Sequence, residues 1–178
     1  MHLPLDQILE DRGLRVIAVP TDGLCLLHAV KAVLNNDEQF HITTAGIAKI
    51  VQAEVRDNIP HYEPFFLMPV RDVLSDLDAY LERGKYNSDL GDIAIAAICD
   101  AISVHLTIFE QRRIDEEPSY TIELSHPPSR VESKFNVSLL RSSLPKEHYH
   151  YDALVMMPVA VDPHDQDCLK TKVTFNSW

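Results

Sequence analysis

Asp22-Gly23-Leu24-Cys25-Leu26-Leu27-His28-Ala29-Val30 decides how this chain is read. The Asp-Gly pair forces a tight turn, and the β-branched run 16–19 ahead of it, broken by Pro20-Thr21, reads as a short strand. From Cys25 onward, apolar residues at 26, 27, 29, 30, 33 and 34 have helical spacing, and Asn35-Asn36-Asp37 stops the helix. Cys25 thus opens a helix. There the macrodipole and the unpaired backbone N–H groups stabilise a thiolate. Such placement, with an imidazole nearby, can bring a thiol from a pKa of about 8.5 into the range of about 3.5–7.5. The same turn can aim backbone N–H groups at a developing oxyanion, each typically worth about 3–4 kcal/mol in the transition state.

The imidazole comes from His150-Tyr151-Asp152-Ala153-Leu154. The chain has nine histidines, so proximity of one to any site means little, and spacing has to discriminate. In a strand, residues i and i+2 share a face. Asp152 therefore lies beside His150 and can accept one ring N–H, leaving the other nitrogen for a thiol. His148 lies on the same face, but the residue two on from it is His150 rather than a carboxylate. It is assigned a surface or substrate-side position.

Outside these two stretches, residues 42–55 read as a helix capped by Thr43 or Thr44 and ended by Asn58-Ile59-Pro60. Residues 69–83 are the clearest helix, with Pro69 at the start and Gly84 just past the end. Asp92 begins an almost wholly apolar helix over 93–101. The period then changes to two. Strands are expected at 104–109, 120–124, 136–140 and 151–157, with 110–118 as an exposed charged loop. Helices first, then a small sheet, with one strand ahead of the first helix, argues an α+β fold. Residues 1–157 are expected to form one domain, and 158–178 a loosely attached extension.

Composition narrows the function. The 178 residues carry a net charge of −11, with no basic run longer than Arg112-Arg113, which disfavours binding to nucleic acid. No 18-residue apolar run exists, so no membrane partner is expected. The N-terminus lacks the basic and apolar regions of a signal peptide. Three widely spaced cysteines, Cys25, Cys99 and Cys168, form no disulfide pattern and suit a reducing compartment. Cys99 lies in the most apolar helix and reads as core; Cys168 lies in the tail without a His-x-Asp partner. A metal site built from His148, His150 and Asp152, with His28 added, is the alternative. It lacks an HExxH or Cys-pair motif and leaves the turn before Cys25 unexplained, so no metal or cofactor is expected. His28, one helical turn below Cys25, is expected to pack or hydrogen-bond there.

Taken together, the two stretches resemble the ovarian-tumour-domain (OTU) cysteine proteases, most of which are deubiquitinases. Their nucleophile motif is Asp-Gly-Asn-Cys followed by a hydrophobic helix. Their base lies in His-Tyr-Asn/Asp-x-Val/Leu, matched here at every position from His150 to Leu154. Gly91-Asp92-Ile93 and the strand that follows residues 93–101 are similar to the family's middle segment, so the resemblance spans about residues 14–157. It implies a papain-like fold with a small, mostly antiparallel sheet packed between helices. It implies Cys25 as nucleophile, His150 as general base and then acid, Asp152 as orienter, and Asp22, Gly23, Leu24 and Cys25 as the oxyanion loop, with Asp22 in the catalytic set. Two departures stand out: Leu24 replaces the usual Asn, and the loop holding Tyr86-Asn87-Ser88 lacks the family's Trp.

The activity implied is thiol-dependent hydrolysis of isopeptide or peptide bonds after the C-terminal Gly of ubiquitin or a ubiquitin-like modifier. The setting implied is the cytoplasm, or a host cytoplasm for a viral or bacterial effector. Because the ubiquitin tail is basic, Asp72, Asp76, Asp78, Asp89 and Asp92 are candidates for lining its cleft, against the simpler reading of a solvated helix face. Leu24 keeps a second function in view, a weakly active or inactive ubiquitin-binding module.

Overall fold

Leu26, Leu27, Ala29, Val30 and Leu34 lie on one side of helix α2 (Cys25–Asn35), and all are buried. In the computed structural model, which describes residues 4–37, 40–85, 90, 93–112, 120–144 and 148–158, this helix packs on the central sheet. Ahead of it come α1 (Leu5–Asp11) and β1 (Leu14–Ile17). After it come α3 (Thr44–Asp57), the short α4 (Ile59–Tyr62), a 3₁₀ turn (Glu63–Phe65), α5 (Val70–Arg83) and α6 (Ile93–Ile102). Strands β2 (Val104–Arg112), β3 (Tyr120–His126), β4 (Phe135–Leu144) and β5 (His148–Met156) complete the chain's described part.

The five strands form one sheet in the order β1-β5-β4-β2-β3. Only β2 and β4 pair in parallel; the other three pairings are antiparallel. The fold is therefore α+β around a mixed, mostly antiparallel sheet. Alternation along the strands divides the apolar residues between two faces. Leu106, Ile108, Val137, Leu139 and Ala153 face the main core with α2, α3, α5 and α6. Phe109 and Leu154 face the other way and meet Leu5 and Leu9 of α1. Each fully buried aliphatic side chain in these layers contributes about 1.5–3 kcal/mol.

Local signals fix the helix ends. Thr43 caps α3 by accepting the Gly46 N–H at 3.0 Å. Gly84 closes α5 in the left-handed conformation, φ 66°, and its N–H donates to Tyr80 O at 2.8 Å while Lys85 N–H reaches Ala79 O. At the far end of α6, the buried Asp100 carboxylate accepts hydrogen bonds from the Ser129 and Arg130 N–H groups, at 2.6 and 2.8 Å, and from the Ser129 and Tyr62 hydroxyls. These bonds anchor the connection that carries the chain from edge strand β3 across to β4.

The structure departs from the sequence reading at several places. Residues 5–11 form α1, which the sequence reading did not assign. Strand β1 begins at Leu14 and ends at Ile17, so Val19 lies beyond it. Past the helix end read at Asn58-Ile59-Pro60, residues 59–65 form a further short helix and a 3₁₀ turn. Strand β2 runs on through Arg112, so Glu110 belongs to the sheet rather than to an exposed loop. Its side chain is buried because Arg112 and Arg141 neutralise it, with Arg112 Nε at 2.6 Å and Arg141 Nε at 2.6 Å. Residues 113–119, the loop 86–89 with Asp89, Gly91-Asp92, and the extension beyond 158 with Cys168 lie outside the described residues. Among the described residues, no helix is long and apolar enough to cross a membrane.

Candidate active site

Cys25 is the first residue of α2 and is buried at 7 % exposure. Its Sγ lies 3.9 Å from the Tyr149 carbonyl and also faces the Tyr151 N–H, so it rests against the β5 backbone on both sides of His150. Alternation within β5 turns Tyr149 and Tyr151 to one face of the strand, and His150 and Asp152 to the other. His150 Nε2 is 2.9 Å from Asp152 Oδ1. The same oxygen accepts the Val19 N–H at 3.0 Å. The chain leaving β1 therefore locks the carboxylate that orients the imidazole. His150 Nδ1 is buried and has no hydrogen-bond partner among the described residues. One ring nitrogen is thus engaged by Asp152 and the other is not.

The turn before Cys25 is held by side chains and by backbone contact. Gly23 has φ 82°, a conformation that side chains other than glycine's rarely adopt. Asp22 Oδ1 accepts the Leu24 N–H at 3.0 Å. The Asp22 carboxylate also pairs with His28 Nε2 at 2.9 Å, and His28 Nδ1 lies 2.9 Å from Thr44 Oγ1. The bond with His28, followed by that from Leu24 N–H, holds the Asp22 carboxyl below its ordinary value. Because Asp22 is tied to Leu24 and His28, it supports the turn and does not join the His150–Asp152 pair. His28 hydrogen-bonds as the sequence suggested, but its partners Asp22 and Thr44 were not foreseen. Thr44 carries no local signal beyond its place at a helix start. Leu24 packs its side chain on the main core, so the position that the family fills with Asn is here a packing residue.

One expectation is corrected. Burial pushes the Cys25 thiol up from its ordinary value, and the N–H groups of Tyr151, Leu26 and Cys25 do not offset that effect. The thiol is therefore raised here, not lowered as the helix start suggested. Cys99, by contrast, is core as read: fully buried, with its thiol pushed up to about 12 by desolvation.

Among the described residues no group of three or more His, Cys, Asp or Glu side chains could hold a metal. His28 is taken by Asp22 and Thr44, so it does not join His150 and Asp152. Of the acidic candidates, Asp78 pairs with Arg56 and Gln52 of α3, and Asp72 pairs with Arg71.

Comparison with solved structures places the fold. The OTU domain of OTUD1 superposes with a TM-score of 0.61 at 20 % identity, covering 84 % of this chain and 90 % of that domain. The fold is that of an OTU domain. An OTU deubiquitinase from Wolbachia pipientis wMel, solved bound to ubiquitin, matches with a TM-score of 0.59 at 12 % identity, over 80 % of this chain and 95 % of that one. The viral OTU domain protease of Dera Ghazi Khan virus matches with a TM-score of 0.54 at 18 % identity, over 84 % and 85 %. No family model and no curated protein sequence matches the chain. The OTU fold accounts for the order of elements that brings residue 25 to residue 150.

Proposed function

We propose that this chain is a cysteine-type deubiquitinase that hydrolyses the isopeptide or peptide bond after the C-terminal Gly of ubiquitin or a ubiquitin-like modifier. One observation carries the reading: on an OTU fold, Cys25 Sγ rests against the β5 backbone on both sides of His150, while His150, bonded to Asp152 through Nε2, keeps Nδ1 buried and without a partner among the described residues. OTU domains of the same fold that were solved in complex with ubiquitin support the choice of partner.

In this mechanism His150 Nδ1 takes the Cys25 proton as Sγ attacks the carbonyl carbon. The imidazolium so formed is held by Asp152, which is itself fixed by Val19 N–H. N–H groups of the turn 22–25 stabilise the oxyanion. His150 then protonates the departing amine, leaving a thioester on Cys25. A water deprotonated by His150 hydrolyses that thioester and frees the ubiquitin carboxylate. Asp22 keeps the turn in shape through Leu24 and His28 rather than meeting the reacting atoms. The setting proposed is a cytoplasm, where the free thiol persists.

A second reading, a ubiquitin-binding module with little or no turnover, is favoured by the upward-shifted Cys25 thiol and by Leu24 in place of Asn. A ubiquitin probe with a C-terminal electrophile separates the two: the enzyme forms a covalent adduct at Cys25, whereas the module binds without one.

A further inference from the structure

His150 sits between two tyrosines whose side chains point to the opposite face of β5, and both are held by one largely covered cation. The Arg141 guanidinium lies 4.4 Å from the centre of the Tyr149 ring and hydrogen-bonds the Tyr151 side chain. Arg141 stands directly across from Tyr151 in the β4–β5 register, and Glu110 stands directly across from Arg141 in the β2–β4 register. Glu110 binds Arg141 through Nε at 2.6 Å and takes a second contact from Nη2. Arg141 and Glu110 side chains are 11 % and 4 % exposed. Three neighbouring strands thus contribute one cross-strand row, Glu110–Arg141–Tyr151, with Tyr149 stacked on its end.

A buried ion pair adds little net stability over apolar residues of the same size, because desolving both charges offsets their attraction. What it supplies is direction: a planar guanidinium donates to a carboxylate along one edge and stacks an aromatic ring on its face. Here the groups it directs are the residues on either side of His150. They are also the residues whose backbone meets the thiol, since Cys25 Sγ faces the Tyr149 carbonyl and the Tyr151 N–H.

We infer that Arg141, held by Glu110, is a positioning residue of the active site: by fixing Tyr149 and Tyr151 it sets the stretch of β5 that presents His150 to Cys25. The inference rests on the proposed role of His150 and adds to it the device that aims the imidazole from the far side of the strand. The contacts of Arg141 run to Glu110, Tyr149 and Tyr151 and not to the thiol, so its loss is expected to act on turnover more than on ubiquitin binding.

The test compares wild type with Arg141→Met and with the double variant Glu110→Gln/Arg141→Met, which removes the cation without leaving a buried charge unpaired should the single variant fail to fold. Two readouts are taken below the unfolding temperature: kcat and KM on a ubiquitin C-terminal fluorogenic substrate, and the nitrogen-15 signals of the His150 ring. The expected result is a fall in kcat of about tenfold or more with KM within about twofold, and a displaced or broadened His150 signal. Tyr149→Leu, which deletes only the half-exposed ring, is expected to give a smaller fall in kcat in the same direction. A folded variant lacking Arg141 with wild-type kcat and an unchanged His150 signal would overturn the inference, as would a loss confined to KM. If wild type itself turns over no substrate, the proposed function fails, and the His150 signal still decides whether Arg141 positions the ring.

Discussion

A Cβ placed on Gly23 would lie 2.2 Å from the carbonyl oxygen of Gly84, and one placed on Gly84 would lie 2.6 Å from the carbonyl oxygen of Asp22. The turn before Cys25 and the C-terminal cap of α5 therefore meet backbone to backbone, and neither position has room for a side chain. Both glycines also need positive φ, at 82° and 66°. Gly84→Ala is expected to cost about 1–2 kcal/mol from the left-handed backbone alone. It is also expected to displace the 22–25 turn, lowering the rate of Cys25 labelling by a ubiquitin electrophile at least tenfold. Thermal unfolding and labelling kinetics on the same preparation check both parts.

Asp152 has two duties, and substitutions separate them. Asp152→Asn keeps an oxygen that can accept from either His150 or Val19, so activity is expected to stay within about tenfold of wild type. Asp152→Ala leaves the Val19 N–H without its acceptor, at about 1–3 kcal/mol, and frees the imidazole. Its kcat is expected to fall by about a hundredfold or more. Steady-state kinetics on the two variants gives the ratio.

His28 belongs to the turn rather than to the helix surface. His28→Ala removes the bonds to Asp22 and Thr44 while leaving Asp22 Oδ1 on Leu24 N–H. The expected loss is about 1 kcal/mol of stability and a several-fold lower labelling rate, with ubiquitin affinity unchanged. Titration calorimetry with unmodified ubiquitin and probe kinetics together check this.

Asp100 sets a pH limit on the fold. Burial alone would raise its carboxyl, but the N–H of Arg130, the Ser129 and Tyr62 hydroxyls and the Ser129 N–H outweigh that and hold it below the ordinary value. A depressed folded pKa contributes stability that is present above the unfolded value near 4, and that is lost as pH falls through the folded value. Wild type is therefore expected to lose stability on acidification below about pH 4 more steeply than Asp100→Asn. Asp100→Asn is expected to be less stable at neutral pH by about 1–3 kcal/mol. Urea unfolding between pH 3 and pH 7 measures both.

Local patterning made most of this architecture legible. The Pro69–Gly84 frame gave α5 to within a residue, and the break at Pro20-Thr21-Asp22-Gly23 located the start of α2. The i, i+2 rule put Asp152 beside His150, and in the fold His150 Nε2 lies 2.9 Å from Asp152 Oδ1. What the sequence did not disclose depends on contacts between distant segments. The charge of Glu110 argued for an exposed loop, and only pairing with Arg141 in β4 makes its burial tolerable. Leu5 and Leu9 have helical spacing, but they hold α1 only because Phe109 and Leu154 lie beneath them. The contact of Gly84 with Gly23 has no local signature, because either glycine is explained within its own segment by a turn or a cap. The upward shift of the Cys25 thiol has the same origin: the helix start was visible, and the burial that opposes it was not.

Attack of Cys25 on a ubiquitin C-terminus with help from His150 is the step to be tested. The direct measurement is intact-protein mass spectrometry after incubation with a ubiquitin probe bearing a C-terminal electrophile, for wild type, Cys25→Ala and His150→Ala. One covalent ubiquitin is expected on wild type, mapped to Cys25, none on Cys25→Ala, and labelling at least a hundredfold slower on His150→Ala. Folded wild-type protein that binds ubiquitin yet forms no adduct, or an adduct that survives Cys25→Ala, would contradict it.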